Sequence, residues 1–178
     1  SGDMDTLQLV DDTRVCVYTL KKGIADTILY DEEAVVARFG FIPTLIPDWK
    51  GLRGYTSDNI PGVPGIGEKT ATELICGFGS IEAIYTALAK KKGEETFLKK
   101  GVKARMIQLL KEHEEEARFS KSLATIRLDA PIAFTLPPRS WRETVSIPQV
   151  LLMCDTFGFR SLRDRVKHSL LRYTNTQD

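Results

Sequence analysis

Two stretches hold residues whose types and spacing can do chemistry. Near the start, Asp3-Met-Asp5 sets two carboxylates two positions apart in what reads as the turn after a strand. Such a pair can point its oxygens at one hard cation. Alone it is a weak signal, because an ordinary surface turn shows the same pattern. More specific is Ser57-Asp-Asn-Ile-Pro-Gly-Val-Pro-Gly-Ile-Gly-Glu-Lys-Thr-Ala71. Gly62, Gly65 and Gly67 lack a Cβ, so the chain can take positive φ and approach another backbone closely, while Pro61 and Pro64 stiffen the turn. Glu68, Lys69 and Thr70 then open a helix whose unpaired amides and positive dipole end face the loop, a ready site for a phosphate oxygen. Lys69 adds a charge and Thr70 a hydroxyl donor. Contacts of this kind read phosphate spacing and not base edges, so the expected partner is DNA, bound independently of sequence and released by salt. The bland alternative is a Gly-Pro turn between two packed helices.

Several elements must position these residues. Arg14 to Leu20 is rich in β-branched and aromatic residues and suits a short strand ending at Lys-Lys-Gly. Asp31-Glu-Glu opens a helix that continues through Ala34, Val35, Val36 and Phe39 and stops at Gly40. A second helix follows Pro43 and runs to about Arg53, and a third covers Thr70 to Phe78 with Gly79 ending it. Ser80 is the expected N-cap of Ile81 to Ala89. Gly101 to Ile126 reads as one long helix with Glu112, Glu114, Glu115 and Glu116 on its wet side. An extended segment from Pro131 to Leu136, a helix near Ile147 to Phe157 and a basic C-terminal helix complete the pattern. The expectation is an α-rich α/β fold with one or two strands near the start and one near residue 133.

Composition narrows the class. With 178 residues and 42% hydrophobic side chains, the chain can bury a core as one domain or two small lobes. No run approaches the roughly 20 apolar residues of a membrane span, and no signal peptide opens the sequence, so a cytoplasmic setting without a membrane partner is expected. Cys16, Cys76 and Cys154 are far apart and odd in number, which argues against disulfides or zinc and for buried thiols. The net charge of +1 is uninformative, but Lys90, Lys91, Lys92, Lys99, Lys100, Lys103 and Arg105 form one basic cluster. Arg160, Arg163, Arg165, Lys167 and Arg172 form another, which reads as a solvated helix face. Arg118, Lys121 and Lys90 to Lys92 could flank a duplex. His113 and His168 read as surface residues, and Trp49, Trp141 and Phe159 as packing residues.

At these motifs the chain resembles the 5′-nuclease domain of bacterial family A DNA polymerases and, more broadly, the flap endonuclease superfamily. Ser1-Gly-Asp-Met-Asp-Thr-Leu-Gln-Leu-Val10 is similar to the family's strand-end motif with two metal-binding aspartates. Gly51-Leu-Arg-Gly-Tyr-Thr-Ser-Asp-Asn-Ile-Pro-Gly62 is similar to its second acidic motif, which runs into a helix-three-turn-helix, or helix-hairpin-helix, element. Ala117 to Asp129 and Phe157 to Leu162 resemble the stretches that close the domain. The resemblance covers nearly the whole chain and implies the C-terminal portion of a PIN-like nuclease. It implies Asp3, Asp5 and Asp58 as metal ligands and catalytic residues for Mg²⁺ or Mn²⁺ in two-metal hydrolysis. It assigns DNA binding to Gly62, Val63, Gly65, Ile66, Gly67, Lys69 and Thr70, and a K⁺ ion to carbonyls near Val63 and Ile66. The implied work is 5′→3′ exonuclease and 5′-flap cleavage in replication and repair, on duplex or flapped DNA near a bacterial nucleoid, beside a polymerase domain or an upstream nuclease segment.

Two departures qualify that expectation. The family usually carries an aspartate directly after the glycine of its second motif, where this chain has Tyr55. A phenol is a poor ligand for a hard cation, so the second metal site is expected to be weakened or absent. The family's remaining acids and its cationic arch lie upstream of the residues that match, so three aspartates alone are expected to hold metal poorly and to cleave little.

The expected organisation is 1–53 as the end of the PIN-like core, 54–130 as the helix-three-turn-helix region, and 131–178 as a closing strand and helices. A metal-dependent nuclease leads. The alternative is a catalytically defective, stand-alone duplex or flap DNA-binding module, for which Tyr55 speaks. A protein scaffold on the helices of 101–126 has only a charged face behind it.

Overall fold

The computed structural model describes residues 3–12, 14–22 and 25–174. Ser1 and Gly2 of the acidic turn, and the side chain of Arg172 in the second basic cluster, lie outside the described residues. The chain divides into two units, 1–129 and 130–178.

The first unit begins with a 3₁₀ helix, Met4–Leu9, and an antiparallel hairpin of β1 (Val17–Lys22) and β2 (Asp26–Tyr30), which pair Val17 with Tyr30 and Thr19 with Ile28. Helix α1 (Glu32–Phe39) starts where the Asp31 carboxylate accepts from the Ala34 amide and stops at left-handed Gly40, as its sequence signals require. A 3₁₀ turn over Pro43–Leu45 leads into α2 (Ile46–Arg53). Helix α3 spans Glu68–Phe78, and α4 spans Ile81–Leu88 behind Ser80, whose hydroxyl accepts from Ala83 N. Then come α5 (Gly93–Lys99), α6 (Ala104–Glu112) and α7 (Glu114–Ala124).

Helix α2 lies at the centre. Every residue from Ile46 to Leu52 is buried, because α3, α4 and α7 pack on it from different sides. Trp49, Leu52, Val63, Leu74, Ile81 and Ile84 belong to one continuous core. Two polar side chains are caught in this helix, Asp48 and Lys50, and each finds an opposite charge.

Several expectations need correction. The long helix of 101–126 is broken at His113, which sits half-buried between α6 and α7 and not on the surface. Neither Gly nor Pro marks the break. The buried hydroxyl of Tyr85 donates to the Leu110 carbonyl at 3.0 Å, so a side chain from α4 enters the helical ladder just before it. Helix α5 was hidden in a run of lysines and glutamates. Cys16 and Cys76 are exposed, and only Cys154 is buried.

In the second unit, residues 130–140 are exposed and without strand pairing, so the strand expected near residue 133 does not form. Two prolines at 137 and 138 and a lack of any paired edge account for that. A single-turn helix, α8 (Trp141–Thr144), begins with a capping box between Ser140 and Glu143. Helices α9 (Ile147–Thr156) and α10 (Arg160–Thr174) follow and pack on each other, with an Arg163–Asp155 ion pair at 2.7 Å. Trp141 and Phe159 are exposed at 66% and 48%, against the packing role expected of them. No helix among the described residues is long and apolar enough to cross a membrane.

Candidate phosphate-binding turn and acidic site

The turn between α2 and α3 is fixed by the close approach of two glycines. Gly54 (φ 74°) ends α2, and Gly62 (φ 66°) crosses it so closely that a Cβ on Gly62 would lie 2.2 Å from Gly54 N. A Cβ on Gly54 would lie 2.5 Å from the Pro61 carbonyl. Between them, Tyr55 and Ile60 exchange backbone bonds of 2.8 and 3.0 Å. Val63 N donates to Leu52 O at 2.9 Å, and Gly62 N donates to Ser120 Oγ at 2.9 Å, so the turn is tied to both α2 and α7.

Beyond the crossing, Val63 and Ile66 are buried and join the core. The Val63 carbonyl accepts from Ile66 N at 3.0 Å, and a carbonyl oxygen retains a second lone pair after one such bond. Gly65 takes positive φ, as expected. Gly67 does not: at φ −91° it is the extended N-cap of α3, and no side chain caps the helix there. A Cβ at Gly67 would meet nothing within 4 Å. The N-terminal end of α3 thus has no side-chain cap and open space beside Gly67, with exposed Lys69 and half-buried Thr70 in its first turn. Arg53 reaches Glu68 at 3.2 Å and lies over the Trp49 and Tyr55 rings.

The three aspartates are arranged differently from the reading of the motif. Asp3 turns back to cap its own 3₁₀ helix, its carboxylate accepting from Asp5 N at 2.9 Å. Asp5 accepts from the ammonium of Lys50, and Asp58 Oδ2 lies 3.5 Å from that same Nζ. The Tyr55 ring stands 3.9 Å from it. Gln8 Nε2 approaches Asp5 Oδ1 at 3.5 Å and donates to Ala124 O at 2.8 Å, tying the acidic turn to the end of α7.

Among the described residues no three carboxylate, imidazole or thiol groups come together closely enough to hold a metal ion. The point on which Asp5 and Asp58 converge already carries a positive charge, and Tyr55 offers a ring face where a carboxylate would be needed. These residues do not fit a divalent ion.

Sequence reasoning missed Lys50, Ser120 and Asp48. A signal existed for Lys50, which shares a helix face with Ile46 one turn earlier, so that its burial with that face would oblige it to find an acid. Ser120 carries no such mark. Asp48 accepts from Ile81 N at 2.8 Å and pairs with Lys121 at 2.7 Å, and Lys121 also bonds Glu82 at 2.8 Å. Burial pulls the Lys121 ammonium down, but Asp48 and Glu82 outweigh it and hold it above the usual lysine range. Burial raises Glu82, yet Lys121 and its own backbone amide outweigh that and bring it to about 2. Lys121 thus belongs to the framework that joins α2, α4 and α7. Arg118 is likewise engaged, with Glu114 at 2.7 Å and over the Tyr85 ring.

Residues 41–145 match the family model described as 5′-3′ exonuclease, C-terminal SAM fold. The chain is 39% identical over 167 residues to DNA polymerase I of Bacillus caldotenax, a span covering 94% of this chain and 18% of that protein. It is 37% identical to DNA polymerase I of Bacillus subtilis (93% and 18%) and 42% identical to that of Chloroflexus aurantiacus (76% and 14%). The chain thus spans less than a fifth of the length of these curated relatives.

Proposed function

Because this chain belongs to the 5′-3′ exonuclease family with a C-terminal SAM fold, we propose that it grips the sugar-phosphate backbone of duplex or 5′-flap DNA at the turn from Gly62 to Thr70. It would serve a 5′→3′ exonuclease and flap endonuclease of bacterial replication and repair, working in the cytoplasm beside the nucleoid in company with a polymerase domain. The observation that carries the reading is the open N-terminus of α3, uncapped by any side chain, fronted by Gly67 and flanked by Lys69 and Thr70. Amides, an ammonium and a hydroxyl at one helix end suit a phosphate oxygen. The helix-hairpin-helix character of this turn and a K⁺ ion on the carbonyls near Val63 and Ile66 are parts of the same proposal.

The chain's own residues would act in sequence-independent holding. Gly54, Gly62 and Ser120 keep the turn rigid, so little ordering entropy is lost when DNA docks. The Mg²⁺ or Mn²⁺ of the family reading does not fit Asp3, Asp5 and Asp58 as arranged, and that favours a second reading of the chain itself, duplex or flap binding without cleavage. Tyr55 and the Lys50 ammonium are the observations behind it.

A labelled 5′-flap duplex titrated with the chain at rising salt, with anisotropy and cleavage followed together, tests both readings. Binding should be alike across sequences, and Lys69→Ala should make the salt dependence shallower by about 0.9 in log–log slope. An unchanged slope would remove the turn as the contact. Metal-dependent cleavage that Asp5→Asn abolishes would restore the nuclease reading for this chain.

A further inference from the structure

We propose that Lys50 is a tethered cation that replaces a divalent ion at this acidic pair, so that Asp5 and Asp58 serve the fold through an ammonium and are indifferent to metal. The Lys50 side chain is 3% exposed, whereas Asp5 and Asp58 are 22% and 42% exposed. A charge so deeply placed persists only where it is neutralised. Asp5 accepts from it directly, Asp58 stands 3.5 Å away, and the Tyr55 ring lies 3.9 Å from Nζ, where its negative face suits an ammonium.

Backbone rigidity adds to the case. Lys50 projects from α2, the most enclosed helix of the unit, so its ammonium cannot swing away without emptying a buried position. A divalent ion arriving at Asp5 and Asp58 would sit against that ammonium, and like charges at contact distance repel strongly where water is scarce. Tyr55 thus does more than remove a ligand. It supplies a face for the cation that takes the ion's place. The inference does not depend on whether the turn grips DNA, since its readouts are stability and metal binding.

The two arrangements predict opposite signs for one substitution. Carboxylates gathered for a missing metal repel one another, so Asp5→Asn would leave melting in EDTA unchanged or raised. A carboxylate that neutralises a buried lysine cannot be lost so easily, and Asp5→Asn should lower Tm by about 3 °C or more. A Tm equal to or above the wild type would overturn the proposal. In addition, Mn²⁺ followed by its electron paramagnetic resonance signal should not bind the wild-type chain at millimolar concentration. Lys50→Gln should bind it at least roughly tenfold more tightly. Equal Mn²⁺ affinity in both would also overturn the proposal, and the Asp5→Asn melting decides the matter should Lys50→Gln fail to fold.

Discussion

The amide of Gly62 donates to the hydroxyl of Ser120 at 2.9 Å, and both groups are buried, although they stand fifty-eight positions apart in the chain. This bond joins the turn that would meet phosphate to a helix far along the sequence. Ser120→Ala would leave the Gly62 amide without a partner, and an unsatisfied buried donor costs about 1–3 kcal/mol. Urea unfolding should show a loss of that size. The variant should also hold DNA less tightly at a temperature where it remains folded, because the turn loses one of its two ties.

Two glycines of the same turn should respond in opposite ways. Gly62→Ala drives a Cβ to 2.2 Å from Gly54 N at a positive φ, and the backbone must move, costing about 3 kcal/mol or more. Gly67→Ala meets nothing within 4 Å at an ordinary φ, so its stability should fall by at most about 1 kcal/mol, the preference of helix N-caps for glycine over alanine. If phosphate docks on the α3 amides, that added methyl should still weaken DNA binding. Paired melting and anisotropy curves for the two variants separate a fold-keeping glycine from a ligand-facing one.

Local signals were legible and remote partners were not. Asp31 with Gly40, Ser80 with Gly79, and the run from Gly62 to Gly67 each declare a helix end or turn through their own neighbours, and the structure places α1, α3 and α4 accordingly. The break at His113 depends on Tyr85, a residue twenty-five positions before Leu110, and no window of local sequence contains both. The ion pairing of the acidic site was hidden for the same reason. Asp3 and Asp5 resemble a metal pair until Lys50 is brought between Asp5 and Asp58 by the packing of α2. The strand expected at 131–136 shows the converse, since alternating apolar residues define a strand only when an edge exists to receive them.

The Glu82–Lys121–Asp48 network gives a pH dependence of defined sign. Glu82 is held at about 2, below its ordinary value, chiefly because Lys121 outweighs the effect of burial. A carboxylate depressed in the folded state adds stability that is complete above its unfolded pKa, near 4.5, and fades as pH falls toward about 2. Glu82 is 53% exposed, so solvent screening keeps the contribution to about 1 kcal/mol or less. Urea midpoints for wild type and Glu82→Gln should differ at pH 7 and converge as pH drops from 4.5 toward 3. A difference that persists unchanged at low pH would mean that the lost interaction was not ionic.

Not every lysine of the basic cluster should act on DNA, and Lys100 is the case to separate. Its ammonium reaches the Gly77 carbonyl at 2.5 Å and lies 4.7 Å from the centre of the Phe78 ring, so it closes the C-terminal end of α3, opposite the end that faces the turn. A cation there offsets the negative end of the helix dipole and occupies a carbonyl that has no helical donor. Lys100→Ala should therefore cost about 0.3–1 kcal/mol in unfolding experiments and leave the salt slope of DNA binding as it was. Lys69→Ala should do the reverse, with stability held and the slope made shallower. Should Lys100→Ala flatten the slope as much as Lys69→Ala, the phosphate path would extend along the whole of α3, and contact at its N-terminus alone would no longer describe the interface.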